Sequence, residues 1–352
     1  MKIRVAFFDE DVSYLNRISN TLNMRYADSL QVYAFSDSTA AKAFLSDTAL
    51  DVVLASHSFG ITKAELPPNA SFAFLTESQN AASIEGSPAI SKYQKVDLIY
   101  KHILNLFADG HDLPLGGGDG GSTDVILFTS PAGGTGCSSA AAAYALHQAG
   151  KGLKSLYLNL ELLGNADLFF SGQGQFGMND IIYAVKSKRG NLALKLESNV
   201  KKDENGVFFF SPADLVLNRM ELNDEEILQV IGELRGSGKY DVIVLDVDFG
   251  LEQGDLALAR LARAIVWVSN GTDAANDKLN RAYASLALLE GRGSAPLTKR
   301  LYVLYNMFVK GVGRTADQVA ANGVGIFPKY VSTDTPKIIA SLSGQDWFDT
   351  IK

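Results

Sequence analysis

One cysteine, Cys137, among 352 residues excludes an internal disulfide. No apolar run approaches the roughly 20 residues of a membrane-spanning helix. No block of like charge occurs either, and a net charge of −7 gives the chain as a whole no attraction to nucleic acid or anionic lipid. DNA is therefore not an expected partner. The opening MKIRVAFFDED has acids where a secretion signal needs an apolar core, so the expected compartment is the cytoplasm. The four histidines, His57, His102, His111 and His147, are scattered, and with a single cysteine no metal-ligand spacing exists.

What is present is apolar residue, 47% of the chain, in a length that exceeds one ordinary core. Two domains are expected, and the boundary is visible. Within ADGHDLPLGGGDGGST, five of the six residues from Gly116 to Gly121 are glycine, which costs too much backbone entropy for a helix or strand interior. The expected division is 1–107, a linker at 108–122, and 123–352.

In the first segment, IRVAFF, LQVYAF, DVVLAS, SFAFLT and PAIS are short apolar runs. Between most of them lie stretches such as DVSYLNRISNTLNMRY with apolar residues at i, i+3, i+4 spacing. Five strands alternating with helices predict a parallel sheet covered on both faces. The stretch before the fifth, ESQNAASIEGS, has little apolar content and predicts a loop or a partner surface rather than a helix. The order resembles a response-regulator receiver domain, a flavodoxin-like fold. The resemblance sets Asp9 and Glu10 at the metal-binding acids, Thr76 at the hydroxyl and Lys92 at the lysine. Ser56 stands at the aspartate that accepts phosphate. A serine hydroxyl has no resting charge and little nucleophilicity, so aspartyl-phosphate chemistry is expected to be absent. Read without the resemblance, Asp9, Glu10 and Asp11 cap the helix that follows.

The second segment opens with TDVILFTS, a run typical of a strand buried on both sides, followed by SPAGGTGCSS and the alanine-rich helix SAAAAYALHQAG. Strand, glycine loop and helix form the context in which backbone N–H groups and a helix N-terminus bind phosphate. The Walker lysine is missing, and Cys137 takes its place. KSLYLNLE ends a strand in Asn159 and Glu161, and KYDVIVLDVDFG ends one in Asp246 and Asp248, the arrangement of a Walker B acid. With RAIVWVSN, RLYVLYNMF and GVGIFPKY these runs complete a doubly wound α/β sheet.

This segment resembles the ParA/MinD family of deviant Walker ATPases, whose loop reads K-G-G-x-G-K-[ST]. Gly133, Gly134, Gly136 and Ser138 match, while Ala132 and Cys137 replace both lysines. The resemblance implies ATP and Mg²⁺ as ligands, with phosphate on the loop from Gly133 through Thr135, Gly136 and Cys137 to Ser138 and Ser139. It implies the metal at Ser138 and Asp246, adenine read by Asn306 with Pro328 in the loop beside it, and Glu161 and Asp246 as the residues for chemistry. Asn159 and Glu161 stand at its D-x-D, and Asp246 to Gly250 at its switch. A degenerate receiver ahead of such an ATPase is similar to the TadZ/CpaE pilus-assembly proteins. That implies a nucleotide-dependent homodimer working with other Tad pilus components, placed at a cell pole or at the inner face of the membrane by peripheral association. Without its two lysines the site is expected to bind nucleotide with slow or no turnover; the alternative is an active partitioning or regulatory ATPase.

Three weaker signals are set aside. GQGQFG, Gly172 to Gly177, satisfies G-x-G-x-x-G away from any first strand-to-helix turn. Lys186, Lys188, Arg189, Lys195, Lys201 and Lys202 read as a solvated face, and PKIIASLSGQDWFDTIK as a packing helix rather than a membrane anchor.

Overall fold

A computed structural model describes residues 2–67, 69–78, 81–110, 123–188, 191–290, 296–332 and 334–352; the glycine run at 116–121 and Arg189 lie outside the described residues. The chain forms two compact units, Met1–Leu115 with Tyr183–Asn199, and Gly116–Ile182 with Val200–Lys352.

The first unit runs β1 (Ile3–Phe8), α1 (Val12–Arg25), β2 (Leu30–Phe35), α2 (Ser38–Asp47), β3 (Val52–Ser56), β4 (Ser71–Thr76), β5 (Ser83–Ile84), β6 (Ser87–Ser91) and α3 (Val96–Gly110). The sheet order is β2-β1-β3-β4-β6-β5. All five sequence-predicted strands are present and parallel to their neighbours, but the sheet has six strands. The sixth, β5, comes from the stretch without helical periodicity and pairs antiparallel with β6. Its cause is the turn between them, where Glu85 and Gly86 have φ of 49° and 75°, the pair of left-handed residues that joins a tight hairpin. Asp11 caps α1 by accepting from Tyr14 N at 2.9 Å.

Central strands β1 and β3 bury side chains on both faces, as a parallel sheet between helical layers requires. One core lies under α1 and α3, around Phe7, Leu22, Leu54 and Ile103, and another around Phe8, Val53 and Phe74. The unit also takes in a helix from later in the chain, Leu192–Asn199, described below.

The second unit contains β7 (Asp124–Thr129), α4 (Cys137–Gly150), β8 (Ser155–Asn159) and then α5 (Met178–Ser187), in which the chain passes to the first unit. α6 (Leu192–Asn199) packs there on α3, where Lys195 is buried, pairing with Asp109 Oδ1 at 2.7 Å and donating to Asn105. Lys195 is therefore no part of a solvated basic face. The second unit resumes with β9 (Lys201–Lys202), β10 (Phe208–Phe209), α7 (Val216–Met220), α8 (Asp224–Gly236), β11 (Val242–Asp246), α9 (Gln253–Leu261) and β12 (Ala264–Ser269). It ends with α10 (Asp273–Glu290), β13 (Leu301–Phe308), β14 (Gly323–Pro328) and α11 (Thr335–Ser343). Its sheet order is β14-β13-β12-β7-β11-β8-β10-β9, parallel except where β9 meets β10.

Small residues set the packing of α4: Ala140 to Ala143 and Ala145 are fully buried, which lets the helix lie close on the sheet. α11 is a packing helix, with Ile339 and Leu342 in the core and Phe348 beyond it against Tyr144 and Phe327. Among the described residues no helix is long and apolar enough to cross a membrane.

Candidate functional site

The central strand β7 delivers the chain to the loop of residues 130–136, which is folded by a short polar network. Ser130 Oγ lies 2.6 Å from Val268 O and 2.7 Å from Ala132 O, and accepts from Thr135 Oγ1 at 3.0 Å. Gly134 and Gly136 have φ of 71° and 72°, the left-handed region that favours glycine. Gly133 and Gly134 are exposed, and a β-carbon on either would meet nothing within 4 Å, so the loop backbone stands open. Gly136 is the N-cap of α4 and no side chain caps that end, which leaves the first-turn N–H groups for an anion.

Beyond the loop, the carboxyl ends of β8 and β11 and the first turn of α4 bring five polar side chains together. Ser138 Oγ donates to Glu161 Oε2 at 2.9 Å. Asp246 is fully buried; its Oδ2 accepts from Tyr157 OH at 2.6 Å and Asn159 Nδ2 at 2.9 Å, while its Oδ1 has no partner among the described residues. Burial, followed by the nearby Glu161 charge, pushes the Asp246 carboxyl up to about 8, against the Tyr157 hydrogen bond. An orphaned buried carboxylate oxygen beside a serine hydroxyl fits a hard divalent cation, which takes oxygen ligands and relieves the repulsion between acids. No group of three or more His, Cys, Asp or Glu suited to a metal occurs among the described residues, so such a cation would also lean on a hydroxyl and the ligand's own oxygens.

Cys137 lies against the same acids. Burial first, then Asp246, Glu161 and Asp248, push its thiol well above the ordinary range, so it stays protonated and is no nucleophile.

Asn306 is buried and donates its amide to Thr135 O at 3.0 Å and Gly136 O at 3.4 Å. In this structure it clamps the loop, a role that the sequence did not suggest. The next residue, Met307, has φ of 56° at a register shift in β13, an uncommon conformation for a non-glycine residue. Met307 lines a cavity of about 360 Å³ with Gly134, Asn270, Thr272 and Lys329. Pro328, at the exposed end of β14, is next to that cavity in sequence but does not line it. GQGQFG forms no phosphate loop: Gly172 packs on the Lys201 side chain and Gly177 N donates to Asp180.

The first unit carries the remnant of a second site. Lys92 Nζ donates to Asp9 Oδ2 at 2.9 Å, both side chains are buried, and Asp9 Oδ1 accepts from Asp11 N. Burial alone would lower the Lys92 ammonium, but the bond to Asp9 leaves it raised. Ser56 Oγ lies 3.0 Å from Ser58 Oγ, and Thr76 Oγ1 accepts from Ser78 N at 3.1 Å. Of the residues expected around a phosphoryl group, Asp9 and Lys92 are thus brought together, while Ser56 and Thr76 bond to residues near them in sequence.

Residues 1–108 match the family described as TadZ-like, receiver domain. No curated protein matches the chain. Among solved structures, a ParA family ATPase from Chlorobium tepidum TLS is 14% identical, with a TM-score of 0.50, and the match covers 66% of this chain and 97% of that one. The septum site-determining protein MinD complexed with Mg-ADP from Pyrococcus horikoshii OT3 is 16% identical, with a TM-score of 0.49 and coverage of 65% and 94%. A MinC:MinD cell division protein complex from Aquifex aeolicus is 20% identical, with a TM-score of 0.47 and coverage of 65% and 94%. The part of the chain outside the receiver-like unit has the fold of the ParA family ATPase.

Proposed function

We propose that this chain, which joins a TadZ-like receiver domain to a ParA/MinD ATPase fold in the order of the TadZ/CpaE proteins, is a nucleotide-switched localisation and scaffold protein of Tad pilus assembly. The division into working parts is 1–107 and 123–352. The second part takes ATP with Mg²⁺ on the loop from Gly133 to Ser139 and pairs with a second copy through that face. The first part docks to other pilus components. The carrying observation is the convergence of an uncapped α4 N-terminus, an open glycine loop and the orphaned Asp246 Oδ1 beside Ser138.

Each residue has a distinct duty in that reading. The loop amides neutralise phosphate charge without a side chain. Ser138 and Asp246 would hold Mg²⁺, directly or through water, and the ion when bound supplies the positive charge that draws the phosphate oxygens together. Glu161 gives up its bond from Ser138 and orients water. Asn306 keeps the loop in shape from below, and adenine is held in the cavity between Gly134 and Lys329. With Ala132 and Cys137 in place of two lysines, the cations that stabilise charge at phosphoryl transfer are absent, so turnover is slow or nil while binding persists. Calorimetric titration of the full chain with ATP, with and without Mg²⁺, tests this. Saturable heat that strengthens with Mg²⁺ is expected; no heat and no thermal shift at millimolar nucleotide would overturn it.

A further inference from the structure

A cavity of about 750 Å³ in the second unit lies at the carboxyl ends of β8 and β10 and is walled on one side by the turn Leu160–Leu162 and on another by Arg219 of α7. No residue of the phosphate loop lines it. The turn matters because Glu161 stands on it. From the β11 side it is held by its backbone: Leu160 N donates to Asp246 O at 2.8 Å, and Leu162 N to Asp248 Oδ2 at 2.8 Å. Glu161 N donates to Asn159 Oδ1 at 3.1 Å. All three use N–H groups of the turn; of its carbonyls, Glu161 O accepts from Gly164 N at 3.2 Å, and Leu160 O needs a donor from elsewhere.

Arg219 secures it. Its Nη2 donates to Leu160 O at 3.0 Å, the one hydrogen bond of its guanidinium among the described residues. Its Nε is buried with no partner. A half-buried guanidinium with an unpaired N–H is a poor stabiliser in itself, since desolvation offsets what the single bond returns. Asp248 and Asp224 favour its charge, and Asp248 is the same side chain that holds Leu162 N. The guanidinium and the acid therefore grip the turn from its two ends.

We propose that Arg219 is a positioning residue: from α7 it fixes the Leu160–Leu162 turn and thereby keeps the Glu161 carboxylate at Ser138. This rests on the reading of Ser138 and Glu161 as part of a Mg²⁺-nucleotide site. A planar fork suits the task better than an ammonium, because one N–H can hold the carbonyl while the delocalised charge still faces Asp248.

The test uses the full chain as wild type, Arg219→Ala, Arg219→Lys, Glu161→Gln and the double variant Arg219→Ala/Glu161→Gln. The first readout is amide exchange of the turn without nucleotide. In Arg219→Ala, Glu161 and Leu162 should exchange faster while β8 and β11 keep their protection, and Arg219→Lys should fall between Arg219→Ala and wild type. The second is the Mg²⁺ concentration that half-saturates binding of a fluorescent ATP analogue. Arg219→Ala should raise it about 10-fold, the low end of what outer partners of metal-binding groups cost, and by much less in the Glu161→Gln background, as coupled residues require. Unchanged exchange at the turn, or Mg²⁺ shifts that simply multiply in the double variant, would overturn the proposal. Wild type that binds no nucleotide at any Mg²⁺ concentration would sink the reading of the site, and the exchange arm would still decide on Arg219.

Discussion

The side-chain amide of Asn306 occupies the space that a β-carbon on Gly136 would need: the two would lie 2.5 Å apart. Gly136 thus answers two demands at once, a φ of 72° and room for the clamp that bonds its own carbonyl.

Gly136→Ala should therefore damage the loop doubly. A non-glycine residue in that conformation costs about 1–3 kcal/mol before the clash is counted. Urea denaturation should show a loss of at least that size, and ATP affinity should fall by an order of magnitude or more. Asn306→Ala, which takes from Thr135 O its side-chain donor and leaves Gly136 O with only its bond from Ala140 N, should cost about 1–3 kcal/mol. If clamping is its main duty, ATP and GTP affinities should drop by the same factor; a loss confined to ATP would return Asn306 to the base.

Asp246 makes stability depend on pH. Its native carboxyl is pushed up to about 8, against about 3.9 in an unfolded chain. Between those values the native state holds a proton that the unfolded state has released. The unfolding free energy should therefore fall as pH rises from about 4 to 8, by up to about 1.4 kcal/mol per unit, and flatten above. Asp246→Asn should remove that slope from urea denaturation midpoints measured between pH 5 and 9. A slope that survives the substitution would show that other groups set it.

If the catalytic deficit is one of charge, Ala132→Lys with Cys137→Lys should raise ATP turnover by one or more orders of magnitude. The acids that add to burial in keeping the Cys137 thiol protonated are suited to receive an ammonium there. A double variant that binds ATP with no gain in rate would place the deficit elsewhere.

In the receiver-like unit, acetyl phosphate should leave the mass of the chain unchanged, because Ser56 is no acceptor and Lys92 already holds Asp9. Lys92→Met alone strands a buried carboxylate and should cost about 3–5 kcal/mol, whereas Lys92→Met with Asp9→Asn should recover much of it. An acid-labile phosphoryl adduct within residues 1–107 would contradict the first part, and additive losses the second.

Periodicity and strand-end chemistry made much of this architecture legible. The buried runs of β7 and β11 stood out because parallel strands covered on both faces have no polar alternation to hide them, and Gly136 and Asp246 followed from their places after those strands. What escaped was non-local or very short. β5 has two residues and rests on the Glu85–Gly86 turn; Arg219 reaches its carbonyl across 59 positions of sequence, and Asn306 its own across 171. No local pattern encodes such pairings, and the buried Lys195 was misread because a lysine among lysines gives no sign of a distant Asp109.

The docking of α6 on α3 bears on how the polypeptide matures. During synthesis the first unit emerges with Asn105 and Asp109 awaiting a lysine that lies more than eighty residues downstream, so it cannot finish its own surface until β7, α4 and β8 have also left the ribosome. A fragment that ends at residue 110 would lose that helix and present bare the face of α3 which α6 covers. Exchange of the first unit between relatives should carry the helix Leu192–Asn199 with it, so that Asn105 and Asp109 keep the lysine that pairs with them.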